Sequence, residues 1–268
     1  MAVGTNCAGG NCSTNQYRFT TGYAANSNIA SSTDTVNGNW TYSYDDFNRV
    51  STGVANNGEG CSWAYDRYGN RWQQNAYNGS CPAPQYSFTG NNNRIDGASY
   101  DALGNLLYDG VHHYTYDAEN RITSVDSGAT TYGYDAEDRR VAKNVSGSLT
   151  DFIYDRNGQI ILDNPATPTL IEMYAGGLHL GTYILNSTHT DTVFYYDHGD
   201  WLGTERARTD LSGSPCEKIA SLPFGDNQTI TGTCGDISPM HFTGKERDAE
   251  SGLDNFGASF QHGKVHVP

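Results

Sequence analysis

The sequence predicts an all-β fold: an array of β-hairpins set side by side as a curved or spiralling antiparallel sheet. Three observations carry that prediction. The 268 residues are poor in Leu, Ile and Val yet hold 19 Tyr and 31 Gly, a balance that suits short strands with rings on one face better than a helical bundle. A Tyr-Asp dipeptide recurs along the chain. The residues before it alternate with period two, so that Tyr114 and Tyr116, or Tyr132 and Tyr134, point to the same face of a strand.

The repeat reads "YSYDDFNRVST", "WAYDRYGNRWQ", "ASYDALGNLLY", "YTYDAENRITS", "YGYDAEDRRVA" and "FIYDRNGQIIL". Its dipeptides are Tyr44-Asp45, Tyr65-Asp66, Tyr100-Asp101, Tyr116-Asp117, Tyr134-Asp135 and Tyr154-Asp155, followed by Tyr196-Asp197. Most steps are 16 to 21 residues; the two long ones, 35 and 42, each read as two steps with one dipeptide degenerated. Within a unit, Tyr ends a strand and Asp opens a polar stretch. Gly or Asn four or five positions after Tyr then gives the backbone freedom of a tight turn. A second strand follows, as in Arg121 to Val125. A lone hairpin is marginal in water, so the units must stack or wrap to cover their tyrosines. The high Tyr and Trp content argues against disorder, except near the polar N-terminus.

The six cysteines fall into local pairs, Cys7 with Cys12, Cys61 with Cys81 and Cys216 with Cys234. The last two separations match a strand, a turn and a return strand, so each pair is suited to staple one hairpin. Sequence alone leaves the connectivity open, and the local one is preferred. No pair has the CxxC spacing of a zinc site, which favours disulfides and an oxidising compartment. The start, "MAVGTNCAGGNCSTNQ", lacks the basic and apolar regions of a signal peptide. The two observations are reconciled if Met1 opens a piece of a longer exported protein. A formal charge of −14 disfavours nucleic acid as a partner, and no apolar run is long enough to span a bilayer.

These residues resemble RHS/YD-repeat proteins, relatives of bacterial toxin shells, Tc-toxin cocoon subunits and the teneurin shell. The resemblance covers roughly residues 40 to 258. Its later part, "FYYDHGDWLGTERARTDLSG", "SLPFGD" and "HFTGKERDAESGLDNFGA", looks like the RHS-associated core region. The resemblance implies a hollow β-shell enclosing a toxic C-terminal polypeptide, of which this chain would form the last turns. It divides the chain into a weakly patterned segment 1–39, a repeat array 40–165, a core region 166–258 and a tail 259–268. In the family "FGA" leads to a run like "RYY…SMGRFMSPDP" with a self-cleaving Asp-Pro element; this sequence departs from it at Ser259. Back-translated as CAG CAT GGG AAG GTT CAT GTC CC and shifted by one base, "QHGKVHVP" encodes Ser-Met-Gly-Arg-Phe-Met-Ser. The tail is therefore read as a frameshift product. His262 and His266 are then not ligands, and the self-cleaving element and cargo are expected to be missing.

Candidate chemistry is sparse. Asp197, His198 and Asp200 form the best small cluster for a metal or a catalytic role, and Glu246, Asp248 and Glu250 offer carboxylates of the kind a glycosidase pairs. The plain alternatives are turn residues and a solvated, ion-paired loop. Adjacent His112 and His113 point to opposite faces of a strand and cannot share an ion without a bulge. His179, His189 and His241 are further imidazoles without a pattern. No nucleophile elbow, P-loop or dinucleotide motif appears, so no cofactor is implied. Ranks of Tyr with Trp40, Trp63, Trp72 and Trp201 offer flat rings for sugars, against the simpler reading that they pack the sheet. The resulting expectation is a structural shell segment of a secreted or cell-surface parent, self-associating through exposed sheet edges. The alternatives are a hydrolase acting on a glycoside, ester or phosphoester in a half-open cavity, and a carbohydrate-binding module.

Overall fold

In the computed structural model, the described residues are 2–5, 14–79, 81–82, 85–90, 92–165, 169–185, 192–256, 260–262 and 266–267. The chain clusters into two compact units, residues 1–96 with 218–231, and residues 97–217 with 232–268. The fold is all-β, as the sequence predicts.

The first unit is an antiparallel sheet whose strands follow the chain: β1 (Ala2–Thr5), β2 (Thr14–Tyr23), β3 (Ile29–Asp34), β4 (Trp40–Tyr44), β5 (Val50–Ala55), β6 (Gly60–Tyr65) and β7 (Arg71–Asn78). The second unit opens with the pair β8 (Ser99–Tyr100) and β9 (Leu106–Tyr108). Its main sheet again keeps chain order, through β10 (Tyr114–Tyr116), β11 (Ile122–Val125), β12 (Thr130–Tyr134), β13 (Arg140–Val145) and β14 (Ser148–Tyr154). It continues through β15 (Ile160–Pro165), β16 (Thr169–Ala175), β17 (Leu178–Leu185), β18 (Thr192–Gly199) and β19 (Glu205–Thr209). Along the chain follow β20 (Pro215–Ala220) and β21 (Thr229–Gly232), whose residues 218–231 cluster with the first unit, and then β22 (Arg247–Asp248), β23 (Leu253–Asn255), β24 (Phe260–His262) and β25 (His266–Val267) in the second.

The Tyr-Asp unit has one local geometry. The register slips at each repeat tyrosine, as between Ser43 and Tyr44 or Gly133 and Tyr134, so every hairpin carries a bulge where its strand meets the turn. Asp then closes a tight loop. Its backbone N–H donates to the carbonyl four residues on, and the N–H three residues on donates back, as in Asp117 to Arg121 and Asn120 to Asp117. One Asp oxygen also accepts two loop N–H groups: Asp45 from Phe47 and Arg49, Asp135 from Glu137 and Arg139. Burial works against ionisation, yet these N–H bonds and the guanidiniums of Arg49 and Arg139 hold both carboxyls below their usual range. The residue four positions after Tyr takes positive φ, at Asn48, Gly69, Gly104, Asn120, Asp138 and Gly158.

The tyrosine does more than cover a face. Tyr134 pairs with Arg140 across its bulge, and the hydroxyl of the next repeat tyrosine, Tyr154, donates to the Arg140 carbonyl at 2.7 Å. Tyr116 pairs with Ile122, and Tyr134 donates to the Ile122 carbonyl, also at 2.7 Å. Tyr44 to Ile29, Tyr65 to Val50 and Tyr116 to Leu106 repeat the bond at 2.8–2.9 Å. Arginines reinforce the step: Arg49 lies over the Tyr65 ring and Arg121 over Tyr134.

The same turn recurs where the sequence shows no Tyr-Asp. Residues 1–39 contain one at Ala24 to Asn28, with its bulge between Gly22 and Tyr23. Tyr174 occupies the bulge position inside the long step after Tyr154, without an Asp. Tyr196-Asp197, which the sequence places in the series, lies instead in the middle of β18, paired with Thr209 and Arg208. The turn there is made by Asp200, whose carboxylate accepts from Leu202 and Thr204.

Cys61–Cys81 and Cys216–Cys234 are disulfides, with Cα separations of 5.8 and 5.2 Å. The first closes the open end of the β6–β7 hairpin, as the spacing suggests. Cys7 and Cys12 lie outside the described residues. No helix among the described residues is long and apolar enough to cross a membrane.

Removing one hydroxyl from the series tests its weight. Tyr134→Phe leaves the Ile122 carbonyl without its donor and is expected to cost about 1–2 kcal/mol in urea unfolding. Tyr196→Phe, on a ring 43% exposed, is expected to be neutral. Equal effects would show that the tyrosine bond is incidental.

Candidate functional site

The second unit buries an ionic network under its C-terminal segment, residues 236–255. Alternation along the strands puts Tyr132, Lys143, Phe152, Asp163, Leu170, Glu172, Thr182 and Asp197 on one face of the sheet, as the cross-strand pairs show. That face is covered, and its residues are accordingly buried: Phe152 by Met240, with Tyr132 and Leu253 in a second apolar cluster around Ile122 and Val125. Burial shields the polar residues of the face from bulk solvent, so they need partners in the segment or in one another.

Two centres result. At the first, the fully buried Arg140 holds Asp248 with two bonds, at 2.6 and 2.9 Å, and Glu246 with one at 2.7 Å. Lys143 reaches Glu246 at 2.8 Å and Asp248 at 2.9 Å, and Tyr132 donates to Glu250 at 3.1 Å. Burial alone would raise Asp248, but the charges of Arg140 and Lys143 win and hold it below the carboxylate range. For Glu250 burial and the charge of Asp248 win, and its carboxyl is pushed up.

At the second centre His179 lies between Glu172, 2.7 Å from Nε2, and Asp197, 3.2 Å from Nδ1. Arg208 donates to Asp197 and Glu205 at 2.9 Å and stands 3.3 Å from Glu217. His241 reaches Asp236 at 3.0 Å and Glu205 at 3.5 Å. Burial opposes a charged His179, but the bond to Glu172 and the charges of Asp197 and Glu205 hold its pKa up. Burial, with the neighbouring Asp197 charge, pushes Glu205 far up, while His179 and Arg208 keep Asp197 ionised against its burial. A cavity of about 340 Å³ lies beside both centres, bounded by Tyr154, Tyr174, His179, Met240 and Glu246 among others.

The candidates from the sequence are thus divided. Glu246, Asp248 and Glu250 do come together, but around Arg140, Lys143 and Tyr132 rather than as two free carboxylates facing a substrate. Asp197, His198 and Asp200 do not converge. Asp197 faces Arg208, adjacent His198 turns to the other side to meet Thr209 at 2.9 Å, and Asp200 is occupied by its turn and by Arg206. Burial lowers the His198 pKa. His112 bonds Asp126 and His113 stacks on Tyr108. Among the described residues no group of three or more His, Cys, Asp or Glu is placed to hold a metal. His189 and the side chains of His262 and His266 lie outside the described residues.

Of the tryptophans, Trp63 is core, donating to Gln74 at 2.6 Å with its ring against Phe224. Trp40 stacks on Tyr42, and Trp72 lines a cleft of about 400 Å³ with Tyr86 and Phe88. Sequence reasoning missed Arg140, Lys143, Asp163, Glu172, Glu205, Arg208 and Glu217. The signal was present in the charged residues at inward positions of β13, β15, β16 and β19, where alternation calls for apolar ones.

Arg140→Met is expected to leave Glu246 and Asp248 with Lys143 alone and to lower the unfolding free energy by about 3–5 kcal/mol. A loss below about 1 kcal/mol would show that the network is solvated, as surface pairs are.

Comparison with known proteins agrees with this architecture. A model of the RHS repeat matches residues 116–149, a stretch that begins at Tyr116 and runs through β14's first residues. The "tRNA3(Ser)-specific nuclease WapA" of Bacillus spizizenii is 28% identical over 226 residues, covering 78% of this chain and 9% of that protein. The "tRNA nuclease WapA" of Bacillus subtilis is 27% identical over 225 residues, with the same coverage of 78% and 9%. This chain therefore spans less than a tenth of those relatives. Among solved structures, the TcdB2-TccC3-Cdc42 crystal structure superposes with a TM-score of 0.75 at 15% identity, over 94% of this chain and 15% of the other. A Photorhabdus luminescens Tc holotoxin pore gives 0.73 at 14% identity, with the same coverage of 94% and 15%. At such identities the likeness concerns the fold. Tyrosine-aspartate hairpins in chain order, an RHS-repeat match within them, WapA relatives over most of the length and the fold of the Tc-toxin chains agree: the chain carries the RHS/YD repeat and the fold built on it.

Proposed function

We propose that the chain forms part of the wall of a β-shell enclosing a toxic polypeptide, in a parent protein that is secreted or held at the cell surface. In this reading the repeat array 40–165 and the core region 166–258 are scaffold, and any toxic activity belongs to the enclosed polypeptide. One observation carries it: hairpins in chain order within each sheet, with the fold of Tc-toxin chains along 94% of this chain's length. A sheet that adds each strand beside the last grows into a wall, and its polar network is occupied by internal ion pairs rather than presented to a substrate.

The test is electron cryomicroscopy and limited proteolysis of the polypeptide as its natural gene produces it. A closed shell with residues 40–256 in its wall is expected, with enclosed density that resists trypsin until denaturation. An open sheet, or a C-terminal polypeptide cut as fast as in denaturant, would overturn the reading.

A second reading, carbohydrate binding, is favoured by the cleft of Trp72, Tyr86 and Phe88 in the first unit. Flat rings edged by the Gln85 amide suit a sugar. Saturable glycan binding that Trp72→Ala abolishes is the expected outcome. Binding unaffected by that change, or none on a glycan array, would remove this reading.

A further inference from the structure

The contact between segment 236–255 and the sheet has an unusual charge balance. The segment brings Glu246 and Asp248, both at most 2% exposed. The sheet brings Asp163, Glu172, Asp197 and Glu205, and β20 adds Glu217, all buried. Against these seven acids stand Arg140, Lys143 and Arg208 as permanent cations, with His179 and His241 as the two imidazoles in contact. Buried Arg206 is already taken by Asp200, and half-buried Arg247 by Asp254. Even with both imidazoles protonated, acids outnumber cations, and a buried carboxylate without a partner takes up a proton rather than remain charged.

Geometry shows where the surplus lies. Asp163, 5% exposed, has one carboxyl oxygen with no hydrogen-bond partner. Glu217 accepts no hydrogen bond and has the Arg208 guanidinium at 3.3 Å, a cation it shares with Asp197 and Glu205. Asp163 stands between the two centres. On one side it feels Lys143 and Arg140 of β13 and Glu246 of the segment, on the other Glu172 of β16. Its direct cross-strand partners, Phe152 and Leu170, carry no charge.

We propose that segment 236–255 is held against the sheet by a proton-dependent clamp, closed while the surplus carboxylates carry protons and loosened as rising pH removes them. Burial first, and then the charge of Glu246, push Asp163 up to about 7 from an ordinary value of 3.8. An acid with a raised folded value favours the closed state most below its ordinary range, and that contribution is lost as pH climbs towards 7. Glu205 and Glu217, also raised, act in the same direction. When the protons leave, the negative groups of the segment face negative groups of the sheet. Its release would open the cavity bounded by Tyr154, Tyr174 and Met240.

Hydrogen exchange on the full chain, corrected for intrinsic rates, tests the clamp. The reporters are the amides of Arg247, Gly252 and Asn255, which donate to Pro239, Asp248 and Glu246. Their protection is expected to fall roughly tenfold or more from about pH 5.5 to about pH 8, while amides in β12 to β15 hold. Asp163→Asn, a mimic of the protonated acid, is expected to flatten that fall. Glu205→Gln, expected to act in the same direction, serves should the first variant fail to fold. Protection independent of pH would overturn the proposal. So would an equal loss across β12 to β15, which would make the whole unit the sensor, or an unchanged fall in the folded variant.

Discussion

Tyr65, Tyr116, Tyr134 and Tyr154 each donate their hydroxyl to the carbonyl of the residue that faces the previous repeat tyrosine, and this bond fixes how one hairpin sits on the next. Tyr154 to Arg140, Tyr134 to Ile122 and Tyr116 to Leu106 are successive instances in the second unit. A bulge frees the strand from strict pairing at that point and increases its local twist. The tyrosine then satisfies a carbonyl that lies beside the bulge. Register along a sheet is otherwise weakly specified wherever the covered face is polar, because slipping by one residue loses little apolar burial. Here the hydroxyl and the Asp-closed loop supply the missing specification from within each repeat.

That local control leaves the covered face free to be polar. In the second unit it carries Lys143, Asp163, Glu172 and Asp197, where a self-sufficient sheet would carry aliphatic side chains. Ion pairs replace apolar contacts between the sheet and the C-terminal segment, with Arg140 at the centre. Such pairs add little net stability when complete, but they are costly to break. They therefore discriminate strongly between the correct seating of the segment and any other. The surplus of acids makes that discrimination depend on protons, because a low-dielectric site cannot hold unpaired carboxylates in charged form.

The RHS-repeat relationship and the polar network describe two scales of one design. Repetition builds a sheet that can be extended without limit. The core segment, which contains no Tyr-Asp, caps a stretch of it through side chains that the repeat pattern does not specify. The WapA relatives are similar to this chain over most of its length. The Tc-toxin chains share the architecture at an identity too low to carry side-chain roles.

By itself the sequence determined the strands, the turns and their order. Tyr134, Asp135 and Asp138 lie within five residues of one another, so their bulge, loop and positive φ are local events that any neighbourhood would permit. The spacing of Cys61 and Cys81 likewise announced a stapled hairpin, because one turn brings the two together. Two local readings needed the structure to be completed. The turn at Asp200 lacks the tyrosine that marks the others, and Tyr196-Asp197 has the dipeptide without the turn. The tertiary structure alone decided that Arg140 meets Asp248, 108 residues away, that His179 lies between Glu172 and Asp197, and that Asp163 is left without a cation. Those contacts depend on which strands a distant segment covers, and no periodicity of a single chain encodes a meeting between elements so far apart.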